Sequence, residues 1–227
     1  MGQGMGKIQV YTLSIENIDE AIIEKWLAYV TPSQRERLFR YRFRADFLRS
    51  LAGEAMVRII AGERAGVEPG KLVIARPPGE KPLFPDYPEI KFNISHSGDW
   101  VVCAISDCAV GIDIEVVKEK EVSASLVRKV LTEKERAYIR MVMDGDEAEL
   151  FYQFWTMKEA YCKCVGGGLR IGLDKVEVDF SREKIYLVDE GREWGGMMKT
   201  IDFKEGYVVS VCGVDDFEVG LVGFALS

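Results

Sequence analysis

The stretch GIDIE at residues 111–115 places two carboxylates between isoleucines. Successive side chains of a β-strand point to opposite faces, so a strand here directs Asp113 and Glu115 to one side and the isoleucines to the core. Two carboxylates about 7 Å apart repel each other unless a cation lies between them. The pair therefore predicts either a solvated polar face or two oxygen ligands for a hard divalent ion such as Mg²⁺.

A third carboxylate occurs in WTMKEAYCKCVGGG at residues 155–168. On a helix, Trp155, Glu159 and Lys163 are spaced by four and share one face. Such spacing is also typical of an exposed Glu–Lys pair worth a few tenths of a kcal/mol. Because a large tryptophan on the same face indicates partial cover, we expect Glu159 to complete the metal site and Lys163 to lie beside a metal-bound phosphate.

Arginine is concentrated between residues 35 and 49, where six arginines face only Glu36 and Asp46. The six are Arg35, Arg37, Arg40, Arg42, Arg44 and Arg49. The planar guanidinium matches the oxygen atoms of phosphate. The segment is thus either a solvated helix face or the cationic wall of an anion site.

The one histidine of the chain, His96, lies between Ser95 and Ser97 in NISHS. A lone histidine is more often structural than catalytic, but short donors in a turn that follows a strand suit a phosphate oxyanion. Lys81-Pro82 in the loop upstream adds another cation. Together the stretches indicate a polyphosphate ligand, with cations for a terminal phosphate and Mg²⁺, held by three carboxylates, for a pyrophosphate.

The elements that must position these residues follow from periodicity and helix caps. Residues 8–15 are predicted as a strand, and Thr31-Pro32-Ser33-Gln34 begins one long helix or two abutting helices that end near Gly62. Two more helices are expected, from Thr132 to about Asp144-Gly145 and over 147–165. The other expected strands cover 100–106, 109–116, 175–180, 184–189, 198–203, 206–213 and 219–226. Strands, helices and strands thus follow each other twice, which predicts an α+β protein of two similar halves.

Composition limits the function classes. The net charge of −7 over 227 residues argues against a general nucleic-acid binder, and no segment has the roughly 18 apolar residues of a membrane span. Five cysteines without a zinc pattern favour reduced thiols in a cytoplasmic protein. We expect a disordered leader at 1–7, an N-terminal subdomain at 8–108 and a C-terminal subdomain at 109–227.

Four of these motifs, in this order, resemble the Sfp-type 4′-phosphopantetheinyl transferases. They are TPSQRERLFRYRFRADFLRS at 31–50, FNISHS at 92–97, GIDIE at 111–115 and W-T-x-K-E-A-x-x-K at 155–163. The resemblance covers about residues 8 to 215. It implies a pseudodimer of two similar α/β subdomains, each with an antiparallel sheet packed against helices, and coenzyme A bound in the cleft between them. It also implies transfer of the phosphopantetheine arm to a serine of an apo carrier protein, which releases adenosine 3′,5′-bisphosphate.

Residue by residue, the resemblance assigns Asp113, Glu115 and Glu159 as ligands of Mg²⁺, for which Mn²⁺ is a substitute. Ser95 and His96 are assigned to the 3′-phosphate of coenzyme A, with Lys81, Pro82, Arg37 and Arg49 as helpers. Asp113 and Lys163 lie beside the pyrophosphate. Two departures concern nucleotide affinity: Gln34 stands where some relatives have a lysine, and Glu80 precedes Lys81 where relatives commonly have glycine.

Several alternatives stay open at this stage. Either Glu159 or a metal-bound water takes the proton of the serine, and Lys163 stabilises the departing bisphosphate. The carrier is a peptidyl, polyketide or fatty-acid acyl carrier protein, and the enzyme is expected to be a monomer. A metal-dependent phosphohydrolase that acts on coenzyme A or nucleotides without a carrier would use the same carboxylates. A non-catalytic binding module would be expected to lack a metal ligand or Lys163, which this chain retains.

Overall fold

The first sheet gathers strands from both ends of the chain. The computed structural model describes residues 6–141, 147–179, 184–188 and 190–225. The strands of this sheet are β1 (Gly6–Ser14), β2 (Lys91–Ser97), β3 (Trp100–Ser106) and β10 (Phe217–Gly223), in the order β10-β1-β3-β2. β3 pairs antiparallel with both β1 and β2, whereas β10 pairs parallel with β1. The last strand therefore completes a sheet that begins with the first.

Two smaller sheets follow. One consists of β4 (Val110–Val116), β9 (Tyr207–Gly213) and β8 (Met197–Ile201), paired antiparallel in that order. The other consists of β5 (Val176–Asp179), β6 (Lys184–Leu187) and β7 (Arg192–Glu193), also antiparallel. The helices are α1 (Glu20–Leu27), α2 (Pro32–Leu38), α3 (Arg44–Ala65), α4 (Ala124–Val130), α5 (Glu133–Met141) and α6 (Glu147–Val165).

Each half of the chain places one long helix on a sheet. α3 packs against β2 and β3, and its residues Leu51, Ala55 and Met56 are fully buried. α6 packs across β4 and β9 and buries Phe151, Phe154 and Ala160. The predicted α+β class is confirmed, and the β1–β10 pair is parallel where the sheets were expected to be antiparallel.

The helix predicted from Thr31 onward is two helices. Thr31 and Gln34 form a reciprocal capping box at the start of α2, as the sequence predicted. Residues 39–43 separate α2 from α3, and Phe43 has an extended backbone. α3 continues past the expected end near Gly62 and stops at Gly66, whose φ of 67° is left-handed.

Other expectations differ at particular positions. Gly6 and Lys7, expected in the leader, belong to β1, and residues 1–5 lie outside the described part of the chain. The expected helix end near Asp144-Gly145 also lies outside it. The sequence reading missed α1 and α4. Among the described residues, no helix is both long and apolar enough to cross a membrane.

Gly111 lets α6 approach β4 closely. A Cβ atom at residue 111 would overlap the carbonyl oxygen of Ala160 and lie 2.5 Å from the backbone nitrogen of Cys164. Only glycine permits backbone atoms of a helix and a strand to come this near. Because Ala160 and Cys164 directly follow Glu159 and Lys163, this contact fixes the distance of the Glu159 and Lys163 backbones from β4.

Candidate functional site

β2 presents different side chains to two neighbours. The strand continues through Ser97, so Ser95, His96 and Ser97 do not lie in a turn, as the sequence had suggested. Alternation along a strand then directs Ser95 and Ser97 to one face and His96 to the other. Ser95 and His96 thus face different elements, and their joint assignment to one phosphate stays a prediction.

The serine face of β2 contacts β4 through side chains. Asn93 Oδ1 accepts a hydrogen bond from the backbone N–H of Ile112 at 2.8 Å. Ser97 Oγ accepts from the N–H of Val116 at 3.1 Å and donates to Glu115 at 2.8 Å. Sequence reasoning gave no role to Asn93 and treated Ser97 as a donor to phosphate, although the alternation of both residues with Ser95 was visible. These bonds join the first sheet to the second.

Asp113 lies at the centre of this junction. Its Oδ1 accepts hydrogen bonds from Ser95 Oγ at 2.7 Å and from Lys163 Nζ at 2.5 Å. Lys163 also donates to the carbonyl oxygen of Ile112 at 3.2 Å. Asp113 is 4% exposed, and its Oδ2 is buried without a hydrogen-bond partner among the described residues. One oxygen of this carboxylate is thus engaged and the other is unpartnered.

The negative charge of Asp113 affects the pKa values of Glu115 and Glu159. Burial, reinforced by Asp113, raises the pKa of Glu115 to about 7, although Ser97 and Lys163 act in the opposite direction. Burial and Asp113 also raise the pKa of Glu159, against the effect of Lys163. A raised carboxylate pKa means that the charged form is under-compensated. The three carboxylates together therefore carry more negative charge than their protein partners neutralise.

This donor set fits a hard divalent cation in its chemistry. Carboxylate oxygens are the preferred ligands of Mg²⁺, and the orphaned Oδ2 of Asp113 provides one without breaking a bond. In the described part of the chain, however, no three His, Cys, Asp or Glu side chains are already gathered closely enough to hold a metal. The site has the right oxygen donors, but they are not assembled as a closed cage.

The other face of β2 borders a cationic cavity of about 240 Å³. Its lining includes four residues that the family resemblance assigned to the phosphate, Arg37, Arg49, Pro82 and His96. Arg49 is anchored by Asp46 and by the carbonyl oxygen of Gly98, 2.6 Å from its Nη1. Thus His96 of β2, Arg37 of α2 and Arg49 of α3 line the same cavity.

His96 is an exposed residue that lines this cavity. The protein atoms around its ring and the charge of Arg49 lower the pKa of the imidazole from its ordinary value of 6.5. The neutral form is therefore favoured near neutral pH. A neutral imidazole still offers one N–H donor to an anion.

Arg76 and Glu54 also line the cavity, and sequence reasoning missed both. Glu54 is 6% exposed and forms ion pairs with Arg37 at 3.4 Å, with Arg58 at 2.5 Å and with Arg76. Gln34 donates to Glu54 at 3.4 Å and accepts from Arg58 at 3.1 Å. A glutamate within the buried stripe of α3 was the available signal, because buried carboxylates are normally paired.

Lys81 is placed away from this cavity. Its ammonium group donates to the carbonyl oxygens of Val110 at 2.7 Å and Cys164 at 3.3 Å, and burial lowers its pKa. Those carbonyls belong to the start of β4 and the end of α6. In this structure Lys81 fastens its loop to the second half of the chain, whereas the neighbouring Pro82 lines the cavity.

Lys158, inside the motif W-T-x-K-E-A, is fully buried. It donates to Glu135 at 2.5 Å and to the carbonyl oxygens of Val130 at 2.7 Å and Leu173 at 3.0 Å. Glu135 in turn accepts from the N–H of Val178 at 2.8 Å. This lysine therefore ties α6 to α4, α5 and β5 and does not face the acidic site.

Comparisons with known proteins match both halves of the chain. A family model described as "4'-phosphopantetheinyl transferase superfamily" matches residues 109–212, and one described as "4'-phosphopantetheinyl transferase, N-terminal" matches residues 19–108. A 4′-phosphopantetheinyl transferase of Bacillus subtilis is 32% identical over 83% of this chain and 84% of its own length. The 4′-phosphopantetheinyl transferase Sfp of Bacillus subtilis strain 168 is 30% identical over the same shares.

A solved structure is also similar in part. The holo-(acyl-carrier-protein) synthase of Bacillus anthracis, in complex with CoA (3′,5′-ADP), is 20% identical with a TM-score of 0.35. The match covers 46% of this chain and 93% of that one. A similarity at this TM-score supports no conclusion about the site.

Proposed function

The chain belongs to the 4′-phosphopantetheinyl transferase superfamily, and on this premise we propose that it transfers the phosphopantetheine arm of coenzyme A to a serine of an apo carrier protein. The observation that carries the proposal is the pairing, on opposite faces of β2, of an acidic site and a cationic cavity. A pyrophosphate with a cation suits the first, and a terminal phosphate suits the second.

The reaction forms a bond between the serine oxygen and the β-phosphorus of coenzyme A. It breaks the bond from that phosphorus to the bridging oxygen, which leaves with adenosine 3′,5′-bisphosphate. The serine proton must go to a base. Little covalent chemistry is required of the enzyme, so positioning and charge neutralisation dominate.

Glu159 is the base that the structure supports best. Its pKa is raised by burial and by Asp113, and no hydrogen bond engages its carboxylate within the described part of the chain. A carboxylate with a raised pKa holds a transferred proton more firmly. Lys163, one turn further along α6, stabilises the leaving bisphosphate by its positive charge.

Asp113, Glu115 and Glu159 are the residues that would hold Mg²⁺ or its substitute Mn²⁺. The ion supplies charge neutralisation for the two phosphates when it is bound. Lys163 donates to Oδ1 of Asp113, whereas Oδ2, which has no partner among the described residues, would be available to the ion. Asp113 and Lys163 thus lie beside the pyrophosphate together.

The cationic cavity is proposed to bind the 3′-phosphate of coenzyme A. Arg37, Arg49 and His96 provide N–H donors around it, and Pro82 forms part of its wall. Ser95 lies on the opposite face of β2, and its proposed role is to position Asp113 by donating a hydrogen bond to it. The proposed role of Lys81 is to hold its loop in place by donating to the carbonyl oxygen of Val110.

Further proposals concern the state of the protein. Both halves of one chain supply the site, so we propose a monomer. The boundary between its two subdomains is proposed near residue 108, where the two family models meet. A cytoplasmic location is proposed from the free cysteines. Peptidyl, polyketide and fatty-acid acyl carriers are all proposed partners. No role for nucleic acid or a membrane is proposed.

The test is incubation with coenzyme A, Mg²⁺ and a panel of apo carrier domains. We expect a mass gain of one phosphopantetheine on a carrier serine, with an equal amount of adenosine 3′,5′-bisphosphate released. Parallel reactions with EDTA test the metal requirement. Consumption of coenzyme A at the same rate without any carrier would favour the phosphohydrolase and reject the transferase.

A further inference from the structure

Tyr207, the first residue of β9, reaches the turn that connects β2 and β3 in the other half of the chain. Its hydroxyl oxygen accepts a hydrogen bond from the backbone N–H of Asp99 at 3.3 Å. A Cβ atom at Gly98 would overlap the same oxygen, so the end of the tyrosine ring packs directly on this glycine. We propose that Tyr207 is a positioning residue: by holding the turn, it orients Glu115 in the acidic site and Arg49 in the cationic cavity. The inference rests on the proposed function, which gives both sites their role.

The turn has room for the tyrosine because residue 98 is glycine. β2 ends at Ser97 and β3 begins at Trp100, so Gly98 and Asp99 make the whole connection. The φ of Gly98 is 54°, in the left-handed region that the common two-residue hairpin turns require and that glycine enters at little cost. The missing side chain thus serves both the backbone of the turn and the approach of Tyr207.

The turn controls a contact of the acidic site. Ser97, directly before Gly98, donates to Glu115 at 2.8 Å and accepts from the backbone N–H of Val116 at 3.1 Å. Val116 is paired with Tyr207 in the β4–β9 ladder. Ser97 therefore meets β4 at the level where Tyr207 extends from β9, and displacement of the turn would draw Ser97 away from Glu115.

The same turn holds an arginine of the cationic cavity. The carbonyl oxygen of Gly98 accepts a hydrogen bond from Nη1 of Arg49 at 2.6 Å, and Asp46 binds the other terminal nitrogen. Arg49 extends from α3 and lines the cavity. The contact of Tyr207 with the turn thus acts on both sites, through Ser97 on one side and through the Gly98 carbonyl on the other.

Neighbouring aromatic rings hold Tyr207 in place. Phe203 packs edge-on against Tyr207, with ring centroids 6.3 Å apart, and against Trp100 of β3 at 4.8 Å. The ammonium group of Lys204 lies 5.2 Å from the centroid of the Trp100 ring. Edge-to-face packing favours one relative orientation of the rings. Because β3 supplies one of these rings and the loop before β9 supplies another, the tyrosine has a defined position relative to both sheets.

The experiment uses the full-length protein with coenzyme A, Mg²⁺ and one apo carrier. Tyr207→Leu removes the ring end that touches the turn, and we expect kcat to fall about tenfold, because small displacements of catalytic groups cost this much or more. Tyr207→Phe keeps the packing and loses one hydrogen bond, so kcat should fall no more than about threefold. Tyr186→Leu is the matched control, since Tyr186 is 38% exposed on β6, and it should match wild type.

An NMR titration of His96 provides a readout that does not depend on activity. Burial lowers the pKa of His96, and the charges of Arg49 and Lys163 lower it further. Asp46 acts in the opposite direction. When the turn loosens, Arg49 loses its carbonyl acceptor, and its charge is less firmly placed near the imidazole. The pKa of His96 should therefore rise toward 6.5 in Tyr207→Leu and stay at the wild-type value in the control.

A double-mutant cycle tests the direct contact. Gly98→Ala places a methyl group against Tyr207 and forces a side chain into the left-handed region. The backbone strain is present with either residue at 207, whereas the overlap is present with tyrosine alone. The free energy of unfolding lost on Gly98→Ala should therefore be smaller in the Tyr207→Leu background than in wild type. Equal losses in the two backgrounds would contradict the contact.

The outcomes separate this inference from the proposed function. A folded Tyr207→Leu protein with the kcat of wild type would overturn the positioning role, even if its thermal midpoint were lower. An unchanged pKa of His96 would overturn the link to Arg49. If wild type modifies no carrier, the proposed function fails, and a raised pKa of His96 in Tyr207→Leu would still support the role of Tyr207 in holding the turn.

Discussion

Lys163 and Asp113 form the contact that links α6 to β4 within the acidic site. Nζ of Lys163 lies 2.5 Å from Oδ1 of Asp113, and the side chains are 26% and 5% exposed. Ser95 Oγ donates to the same oxygen, whereas Oδ2 has no partner in the described part of the chain. This asymmetry leaves one oxygen of Asp113 for an incoming cation.

Replacing Asp113 by asparagine should abolish most of the transfer activity. Asparagine keeps the shape of the side chain but removes the charge on which both Lys163 and a divalent ion depend. We expect kcat to fall about 100-fold or more, in the range found when one electrostatic contact to a transition state is lost. The measurement is the rate of mass gain on the carrier, with the thermal midpoint as the check on folding. Transfer activity near that of wild type would contradict the proposed role of Asp113 in the acidic site.

Gly111→Ala should separate α6 from β4. The new Cβ would overlap the Ala160 carbonyl, so the helix has to move, and overpacking of this kind costs about 1–3 kcal/mol or more. We expect a lower free energy of unfolding and, in the protein that still folds, a lower kcat because Glu159 and Lys163 shift with the helix. Gly195→Ala is the control, since a Cβ there meets no atom within 4 Å. If Gly111→Ala and Gly195→Ala had the same free energy of unfolding, the close helix–strand contact would be contradicted.

His96 should report the 3′-phosphate by NMR. It is the one histidine of the chain, so its imidazole signals are unambiguous. In the free protein, the pKa of His96 should lie below 6.5. A bound dianion should raise the pKa of His96, because the charged imidazolium gains a partner. Affinity for adenosine 3′,5′-bisphosphate should then increase as the pH falls through the raised pKa toward the pKa of His96 in the free protein, until the phosphate itself becomes protonated.

The control for this titration is 5′-AMP, which lacks the 3′-phosphate. We expect it to leave the pKa of His96 close to the value in the free protein. If both nucleotides raised the pKa equally, His96 would not be a contact of the 3′-phosphate.

Lys158→Met should destabilise the protein without acting through the acidic site. Removing one partner of a buried ion pair typically costs about 3–5 kcal/mol, here because the Glu135 carboxylate loses its cation. The free energy of unfolding is measured in urea. Lys134→Met is a matched control, since Lys134 pairs with Glu177 at the surface and is 79% exposed, and it should lower the free energy of unfolding far less than Lys158→Met. Equal effects would show that Lys158 is not the internal tie described above.

Much of the acidic site could be predicted from local patterns. The alternation in GIDIE and the spacing of four between Glu159 and Lys163 each depend on the geometry of one element, which the sequence specifies directly. The same holds for the capping box at Thr31 and for helix α6, whose predicted bounds agree with the structure. For the arginines of residues 35–49, the residue pattern predicted a cluster, and the family resemblance rather than periodicity selected Arg37 and Arg49, because the break at residues 39–43 changes the helical phase.

The sequence by itself therefore determined the family motifs, the fold class and the residue types of the site. Tertiary structure alone decided that Ser95 and His96 serve different faces of β2, that Lys81 binds backbone carbonyls, and that Glu54 gathers Arg37, Arg58 and Arg76. The physical reason is the distance along the sequence between the interacting residues. Periodicity and caps depend on neighbours within one turn or one strand, whereas these contacts depend on where a helix, a loop and a sheet from distant parts of the chain meet.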